Sequence, residues 1–199
     1  MRFARLVAAT MMIAALGACK YESIPDPMVG GKDAEWLALA PQPVNKGYDP
    51  YTSRMRVPYS TKEAPGTIVI NSDSKFLYLV EEKGSAIRYQ ISVGQDEYIY
   101  RGDASIQRKA EWPTWTPMSE ARRLNPSLPV QVPGGPNSPL GARGLYLYEN
   151  GKDTFVRIHG TNEPEYIGTN VSLGCIRMNN IDVIDLYNRV KIGSKVIVG

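Results

Sequence analysis

The pattern of apolar and polar residues changes at Gly66. Beyond it, runs rich in β-branched and aromatic residues are separated by turn sequences such as NSDS and EEKG, and another pair of runs flanks an Asn-Gly turn. Apolar residues then recur at helical spacing in NNIDVIDLYNRV, where Asn180 and Asp182 are residue types that cap helices. The pattern predicts a mainly β single domain over residues 66–199 with one short helix near its end. The predicted strands include residues 67–70, 75–80, 86–93 and 154–158, and a final strand follows Gly193.

Two other stretches lack this alternation. Residues 20–65 contain seven prolines and few apolar runs, so we expect a proline-rich tether that spans distance without building a core. The segment AEWLALA within it is the exception, which we expect to form a helical turn or to pack on the domain. Residues 112–144 are rich in proline and glycine and predict an irregular loop.

The first 19 residues have the pattern of an export signal. Arg2 and Arg5 precede an apolar run over residues 6–16, which is too short to cross a bilayer that requires roughly 20 residues. The run ends in LGAC, which resembles the lipobox of bacterial lipoproteins. That resemblance implies a signal peptide over residues 1–18, a lipid on Cys19 and attachment to a membrane. Lys20 in place of aspartate favours the outer membrane, facing the periplasm. A plain signal peptide cleaved nearby is the alternative.

Charge and composition exclude several classes of function. The formal net charge is +3, and removal of residues 1–18 would leave 21 basic and 20 acidic side chains. A nearly neutral chain without a basic stripe has no electrostatic footprint for nucleic acid, so no nucleic-acid partner is expected. The single histidine, without several carboxylates at motif spacing, argues against a zinc site. We predict neither a metal nor a cofactor.

The most informative pair of residues is the only histidine, His159, and Cys175, which lie 16 residues apart. If Cys19 carries lipid, Cys175 is the only remaining thiol, and its reason is either burial as a small apolar side chain or catalysis. Strand alternation places His159 opposite the apolar pair Val156 and Ile158. An adjacent imidazole can stabilise a thiolate nucleophile as an ion pair and later return the proton to a leaving amine.

These residues carry a family resemblance. HGT at 159–161 and SLGCIRM at 172–178, with NSPLGARGLYLY before them, are similar to the L,D-transpeptidase catalytic domain of the YkuD type over about residues 66–199. The resemblance implies a β-sandwich fold. It also implies that Cys175 is the nucleophile, that His159 is the general base and acid, and that the backbone carbonyl of Gly160 orients the imidazole.

Further site residues follow from the same motifs. Gly174, directly before the nucleophile, would let the backbone turn and present N–H groups to an oxyanion. Arg177, Ser172 and Thr161 are predicted to bind substrate. Many members of the family have a histidine where this chain has Leu173, so the resemblance leaves substrate positioning, or a catalytically silent domain, as open questions.

The resemblance also implies a reaction and its partners. The partner is a peptidoglycan tetrapeptide stem, which would lose its terminal D-alanine and become joined through meso-diaminopimelate to a second stem. Water as acceptor would give an L,D-carboxypeptidase, and an amine of an envelope protein would give attachment of that protein. The alternative from another class is a non-enzymatic lipoprotein that tethers the outer membrane to peptidoglycan.

Overall fold

The computed structural model describes residues 21–43 and 54–199, and the export signal and Cys19 lie outside these residues. The described strands are β1 (Glu22–Ser23), β2 (Met55–Pro58), β3 (Ile68–Asn71), β4 (Phe76–Val80), β5 (Ser85–Gln90), β6 (Val93–Gly94), β7 (Gly102–Glu111), β8 (Arg143–Glu149), β9 (Lys152–His159), β10 (Asn170–Ser172), β11 (Ile176–Arg177) and β12 (Lys195–Val198). The α-helices are α1 (Gly31–Leu39), α2 (Ser119–Leu124) and α3 (Asn180–Arg189), and 3-10 turns occupy Asp96–Tyr98 and Pro164–Tyr166. No helix among the described residues is long and apolar enough to span a bilayer.

One curled sheet dominates the molecule. Its strand order is β1-β2-β5-β4-β3-β12-β7-β8-β9-β11, while β6 and β10 pair separately. Neighbours in the large sheet are antiparallel except for β3–β12 and β9–β11. Beyond β5 the chain meets the opposite end of the sheet, because Ser92 and Arg177 exchange two backbone hydrogen bonds of 2.9 Å. The mainly β prediction is confirmed, and the two layers expected of a sandwich are halves of one continuous sheet.

Alternating apolar residues of this sheet fill the core. Ile68 and Ile70 of β3, and Leu145 and Leu147 of β8, are essentially inaccessible to solvent. Each such side chain contributes about 1.5–3 kcal/mol on burial. The sequence placed Val156 and Ile158 of β9 in this core, and both are buried there. Helix α3 packs its apolar side on β8 and β9.

The start of α3 differs from the sequence expectation. The residue before the helix is Asn179, and no side chain caps the free N–H groups there. Asn180 instead bonds to a loop that follows β9, and Asp182 binds the guanidinium of Arg54 at 2.8 Å. The two residues that resemble caps are therefore buried hydrogen-bonding groups that attach other segments to the helix.

The expectation that residues 20–65 add nothing to the core is wrong for the part that the structure describes. β1 pairs with β2, and β2 pairs with β5, so both strands extend the sheet. Ile24 and Val57 are buried. The expectation for AEWLALA is confirmed, because most of this segment lies in α1 and its Trp36 packs edge-on against Trp112 at 5.1 Å. The buried guanidinium of Arg54 also binds Asp26. This segment attaches to the domain with few apolar residues because those residues pack against the large sheet, which the rest of the chain has already formed.

Candidate active site

A cavity of about 120 Å³ contains both rare reactive side chains. His159, Cys175 and Arg177 line it from the β9 and β11 side. The opposite wall belongs to residues 112–142, here called the covering loop, which contributes Trp115, Met118, Ala121, Pro139 and Leu140. The sequence predicted an irregular loop over residues 112–144, whereas β8 already begins at Arg143 and the short helix α2 lies within the loop. The structure thus places the predicted pair in one partly enclosed space.

His159 ends β9 with its imidazole buried. The Nδ1 atom lies 2.5 Å from the carbonyl oxygen of Gly160. A carbonyl can only accept a hydrogen bond, so Nδ1 carries the proton and Nε2 holds the free lone pair. This tautomer leaves Nε2 able to accept a proton, as a general base must.

A buried asparagine holds the loop that positions Gly160. The side-chain oxygen of Asn180 accepts hydrogen bonds from the N–H groups of Ala142, at 2.9 Å, and Thr161, at 3.1 Å. Its amide donates to the carbonyl of Thr161 at 2.8 Å. A Cβ on Gly160 would lie 2.2 Å from the Asn180 oxygen, so only glycine fits. Sequence reasoning missed Asn180 because an asparagine at a helix start is most simply explained as a cap.

Cys175 lies at the end of a tight turn. The hydroxyl of Ser172 donates to the carbonyl of Cys175 at 2.5 Å and accepts the N–H of Gly174 at 3.1 Å. Gly174 has a φ of +109°, and a Cβ there would lie 2.9 Å from the carbonyl oxygen of Tyr98. Both the conformation and the close contact require glycine. The thiol donates a weak bond to the carbonyl of Phe155, at 3.8 Å.

Three predicted roles disagree with this geometry. The N–H of Gly174 is already bonded to Ser172, which conflicts with its assignment to the oxyanion. The Ser172 hydroxyl is engaged within the turn, although the residue borders the cavity. Thr161 is only 1% exposed, and its hydroxyl accepts the N–H of Glu163 at 2.9 Å. These groups stabilise the loops of the site and are not free to contact a substrate.

Arg177 lines the cavity, and its predicted role in substrate binding stays a prediction. Its guanidinium borders the cavity and donates to a carboxylate oxygen of Glu163 at 2.8 Å. Glu163 is half exposed, so this pair contributes little to stability. The Nε atom of Arg177 is buried and has no hydrogen-bond partner among the described residues.

The local electrostatics favour neutral forms of both reactive groups. Burial, together with the positive charges of Arg177 and Arg157, lowers the pKa of His159 to about 3, although the bond to Gly160 opposes this. Burial raises the pKa of Cys175, against a backbone hydrogen bond and the charge of Arg157. The ion pair expected from the sequence is therefore not the favoured resting state, because desolvation penalises both charges.

The thiol is bonded to a distorted part of β9. Phe155 adopts a left-handed φ of +59°, which is costly for a bulky residue, by about 1–3 kcal/mol. The distortion coincides with a shift in the register of β8 and β9 between Tyr146 and Tyr148. Thr154 stabilises it, since its hydroxyl donates to the carbonyl of Leu147 at 2.8 Å. The bulge directs the Phe155 carbonyl to the sulfur, and no sequence pattern indicated it.

Two further features of the described residues concern metal ligands and aromatic side chains. Within residues 21–43 and 54–199, no three His, Cys, Asp or Glu side chains are grouped closely enough to hold a metal ion. Trp115 borders the cavity, whereas Trp112 is buried in the core. Tyr146 lies between the guanidinium groups of Arg108 and Arg157, at 4.3 and 4.5 Å.

Comparison with known proteins gives a consistent family. The model of the L,D-transpeptidase catalytic domain (YkuD) matches residues 65–198. The chain is similar to two Escherichia coli K12 proteins described as probable L,D-transpeptidases. It is 34% identical to ErfK/SrfK over 137 residues and 35% identical to YbiS over 136 residues, which are 66% and 65% of this chain. These matches span 43% of the length of each relative.

Solved structures share the fold. A Brucella melitensis protein described as a probable carnitine operon oxidoreductase is 44% identical, with a TM-score of 0.52 over 76% of this chain and 96% of that protein. An L,D-transpeptidase from Mycobacterium smegmatis has a TM-score of 0.52 at 19% identity, over 67% of this chain and 58% of that protein. The second likeness concerns the fold alone.

Proposed function

The chain belongs to the L,D-transpeptidase catalytic domain family, and from that premise we propose that it is a cysteine acyltransferase acting on peptidoglycan stem peptides. One observation carries the proposal: Cys175 shares a cavity with His159, whose Nδ1 proton is held by Gly160. A binding module that only recognises peptidoglycan has no need of a thiol beside an imidazole with a free lone pair.

The first half-reaction breaks an amide bond. Nε2 of His159 accepts the proton of the Cys175 thiol as the sulfur attacks the carbonyl carbon between the L-centre of meso-diaminopimelate and the terminal D-alanine. The carbon–nitrogen bond then breaks, and the imidazolium transfers its proton to the departing amine. The low pKa of His159 opposes the first of these proton transfers and favours the second, because a buried imidazole is a weak base and a buried imidazolium is a strong acid. D-alanine leaves and a thioester remains on Cys175.

The second half-reaction regenerates the thiol. The side-chain amine of a second stem attacks the thioester carbon, the carbon–sulfur bond breaks, and the sulfur regains a proton through His159. The product is a bond between two diaminopimelate residues. Water in place of the amine would give a shortened stem, and an amine of an envelope protein would give a protein attached to peptidoglycan.

Arg177 and Leu173 complete the proposed substrate site. Arg177 binds a carboxylate of the donor stem, which takes the place of Glu163. Leu173 contributes apolar surface to the cavity where many relatives have histidine. The chemistry tolerates this change because the base is His159.

The same proposal includes a location. LGAC at the end of the export signal supports a lipid on Cys19, and Lys20 supports the outer membrane. Several acyl chains on one residue satisfy the need for more than one lipid in stable anchoring. The domain then faces the periplasm, where peptidoglycan lies.

The decisive experiment incubates residues 20–199 with a disaccharide-tetrapeptide and follows the products by mass spectrometry, beside Cys175→Ala. We expect D-alanine release and a cross-linked dimer that are absent from the variant. D-alanine without a dimer would indicate hydrolysis or the need for a protein acceptor. No reaction, combined with retained binding to peptidoglycan, would contradict the enzyme and favour the tether.

A further inference from the structure

A carboxylate outside the family domain binds both ends of the covering loop. Asp33 lies in the first turn of α1, whereas the family match begins at residue 65. One of its oxygens accepts the indole N–H of Trp112 at 2.7 Å and a guanidinium N–H of Arg143 at 3.0 Å. The other oxygen accepts a second N–H of Arg143 at 2.5 Å. Asp33 thus holds two residues that lie far apart along the chain.

Those two residues mark where the covering loop leaves and rejoins the sheet. Trp112 follows β7, and its backbone N–H donates to the carbonyl of Ala142 at 2.8 Å. Arg143 begins β8 and pairs with Glu111, the last residue of β7. The loop between them supplies half of the cavity wall. The contacts of Asp33 add a side-chain restraint to these backbone bonds at the point from which the loop extends over Cys175.

Arg143 is also connected to the imidazole of His159 through two hydrogen bonds. Its backbone carbonyl accepts the N–H of Gly160 at 3.1 Å, and the carbonyl of Gly160 accepts Nδ1 of His159. The guanidinium of Arg143 is only 3% exposed, so its position depends on the groups that neutralise it. A bidentate, charge-assisted contact restrains it more strictly than a single bond would.

We propose that Asp33 is a positioning residue for the active site. It holds the covering loop closed, and through Arg143 it maintains the hydrogen bonds that join Arg143 to Gly160 and Gly160 to His159. Its catalytic consequence rests on the proposed function, whereas its consequence for the thiol does not. The short helix before the family domain is then part of the catalytic apparatus and not a spacer.

The proposal predicts opposite changes in two reactivities. The thiol is partly exposed already, and opening of the loop would expose it further. The desolvation that raises its pKa would then weaken, and a small alkylating reagent would react faster at neutral pH. The same opening would displace His159 and slow acyl transfer, because small misplacements of catalytic groups are costly. A general loss of folding would also expose the thiol and slow acyl transfer, so the two rates are compared only below the onset of thermal unfolding of each variant.

The test compares Asp33→Asn with Glu35→Gln, an exposed carboxylate on the same helix, in the full chain. We measure kcat and KM for D-alanine release, the rate of Cys175 alkylation by iodoacetamide from pH 6 to pH 9, and the midpoint of thermal unfolding. For Asp33→Asn we expect kcat to fall by about 10-fold or more and alkylation at pH 7 to rise by about 3-fold or more. Glu35→Gln should match the wild type.

Two further results keep the proposal falsifiable. Trp112→Phe removes only one of the three bonds to Asp33, so it should shift both reactivities in the same directions by less, even where Asp33→Asn folds poorly. Unchanged alkylation and kcat in both variants, or changes in both rates that follow only the unfolded fraction given by the thermal midpoint, would overturn the proposal. If the wild type releases no D-alanine, the proposed function fails, while the alkylation rates still test the role of Asp33.

Discussion

The two walls of the cavity are built by different means. On one side, β9 and β11 hold their residues through ladder hydrogen bonds, such as that from the N–H of Met178 to the carbonyl of His159 at 2.8 Å. On the other side, most backbone hydrogen bonds within the covering loop close local turns or belong to α2, and the strand-like pairing described there is the bridge between Trp115 and Val132. Side-chain contacts replace the ladder there, for example the hydroxyl of Ser138 with the carbonyl of Pro113 at 3.1 Å.

This difference assigns the positions of the reacting groups to one wall and the access of solvent to the other. The groups assigned to bond making lie on the ladder wall, where a shift of one residue would disrupt several hydrogen bonds at once. The covering loop supplies burial, and burial is what sets the pKa values of His159 and Cys175. Segments held mainly by side chains open more easily than ladders do. Changes in the ladder wall should therefore affect kcat, and changes in the loop should affect access.

The largest effect is expected from Gly160→Ala on the ladder wall. The new methyl group would lie 2.2 Å from the oxygen of Asn180 and 2.8 Å from the N–H nitrogen of Ala142. Asn180 cannot retreat because three hydrogen bonds hold it, so the Gly160 carbonyl must move away from His159. We expect kcat/KM to fall by about 100-fold and stability by about 1–3 kcal/mol.

Steady-state kinetics and chemical denaturation would measure both quantities. Gly30→Ala is the matched control, because that glycine has no neighbour within 4 Å and a negative φ. Wild-type kinetics in Gly160→Ala would contradict the assigned role of the Gly160 carbonyl.

An intermediate effect should appear in the acid stability, where the two walls act together. The unfolded chain protonates His159 near its ordinary pKa of about 6.5, whereas the folded protein resists protonation down to about 3. Between these values the unfolded state binds more protons. The free energy of unfolding should therefore fall as pH falls, by up to about 1.4 kcal/mol per pH unit from this group.

Urea denaturation at pH 4 to 7 would measure the slope, beside His159→Gln, which cannot titrate. The variant should lose less stability than the wild type over the same range. Equal dependence of stability on pH in the two proteins would show that the imidazole is not buried enough to lower its pKa. The same shift predicts that kcat/KM shows no inflection near pH 6.5.

The smallest effect is expected from Arg122→Ala in the covering loop. This side chain donates to the carbonyls of Val130, at 2.7 Å, and Pro129, at 3.1 Å, in exposed surroundings. We expect a loss of less than about 1 kcal/mol of stability and a KM that rises more than kcat falls. Arg123→Ala is the control, since its exposed pair with Glu120 contributes little. A fall in kcat comparable to that of Gly160→Ala would remove the distinction between the walls.

Local pattern identified much of the sheet and the reactive pair. Strand alternation placed Val156 and Ile158 in the core, and both are buried there. The HGT and SLGCIRM motifs identified the residues that line the cavity from the ladder wall. Such inferences succeed because neighbouring residues and short spacings determine them.

What sequence reasoning missed depends on contacts between distant segments. Asn180 resembled a cap because only the folded chain brings Ala142 and Thr161 to its side chain. The proline-rich segment was expected to be a tether, since neither the partner of Asp33 nor that of Arg54 is close in sequence. The assignments of Gly174 and Thr161 disagree with the structure because a motif names residues without saying which hydrogen bonds they already make.

The docked N-terminal segment also sets a length scale. β1 begins at Glu22, only three residues after Cys19. If Cys19 carries the proposed lipid, the chain between the lipid and the first strand spans at most roughly 10 Å. A fully extended spacer over residues 20–65 would span roughly 150 Å. A domain of this size is about 40 Å across. The catalytic domain would then reach only the peptidoglycan that lies directly against the membrane to which the lipid attaches it.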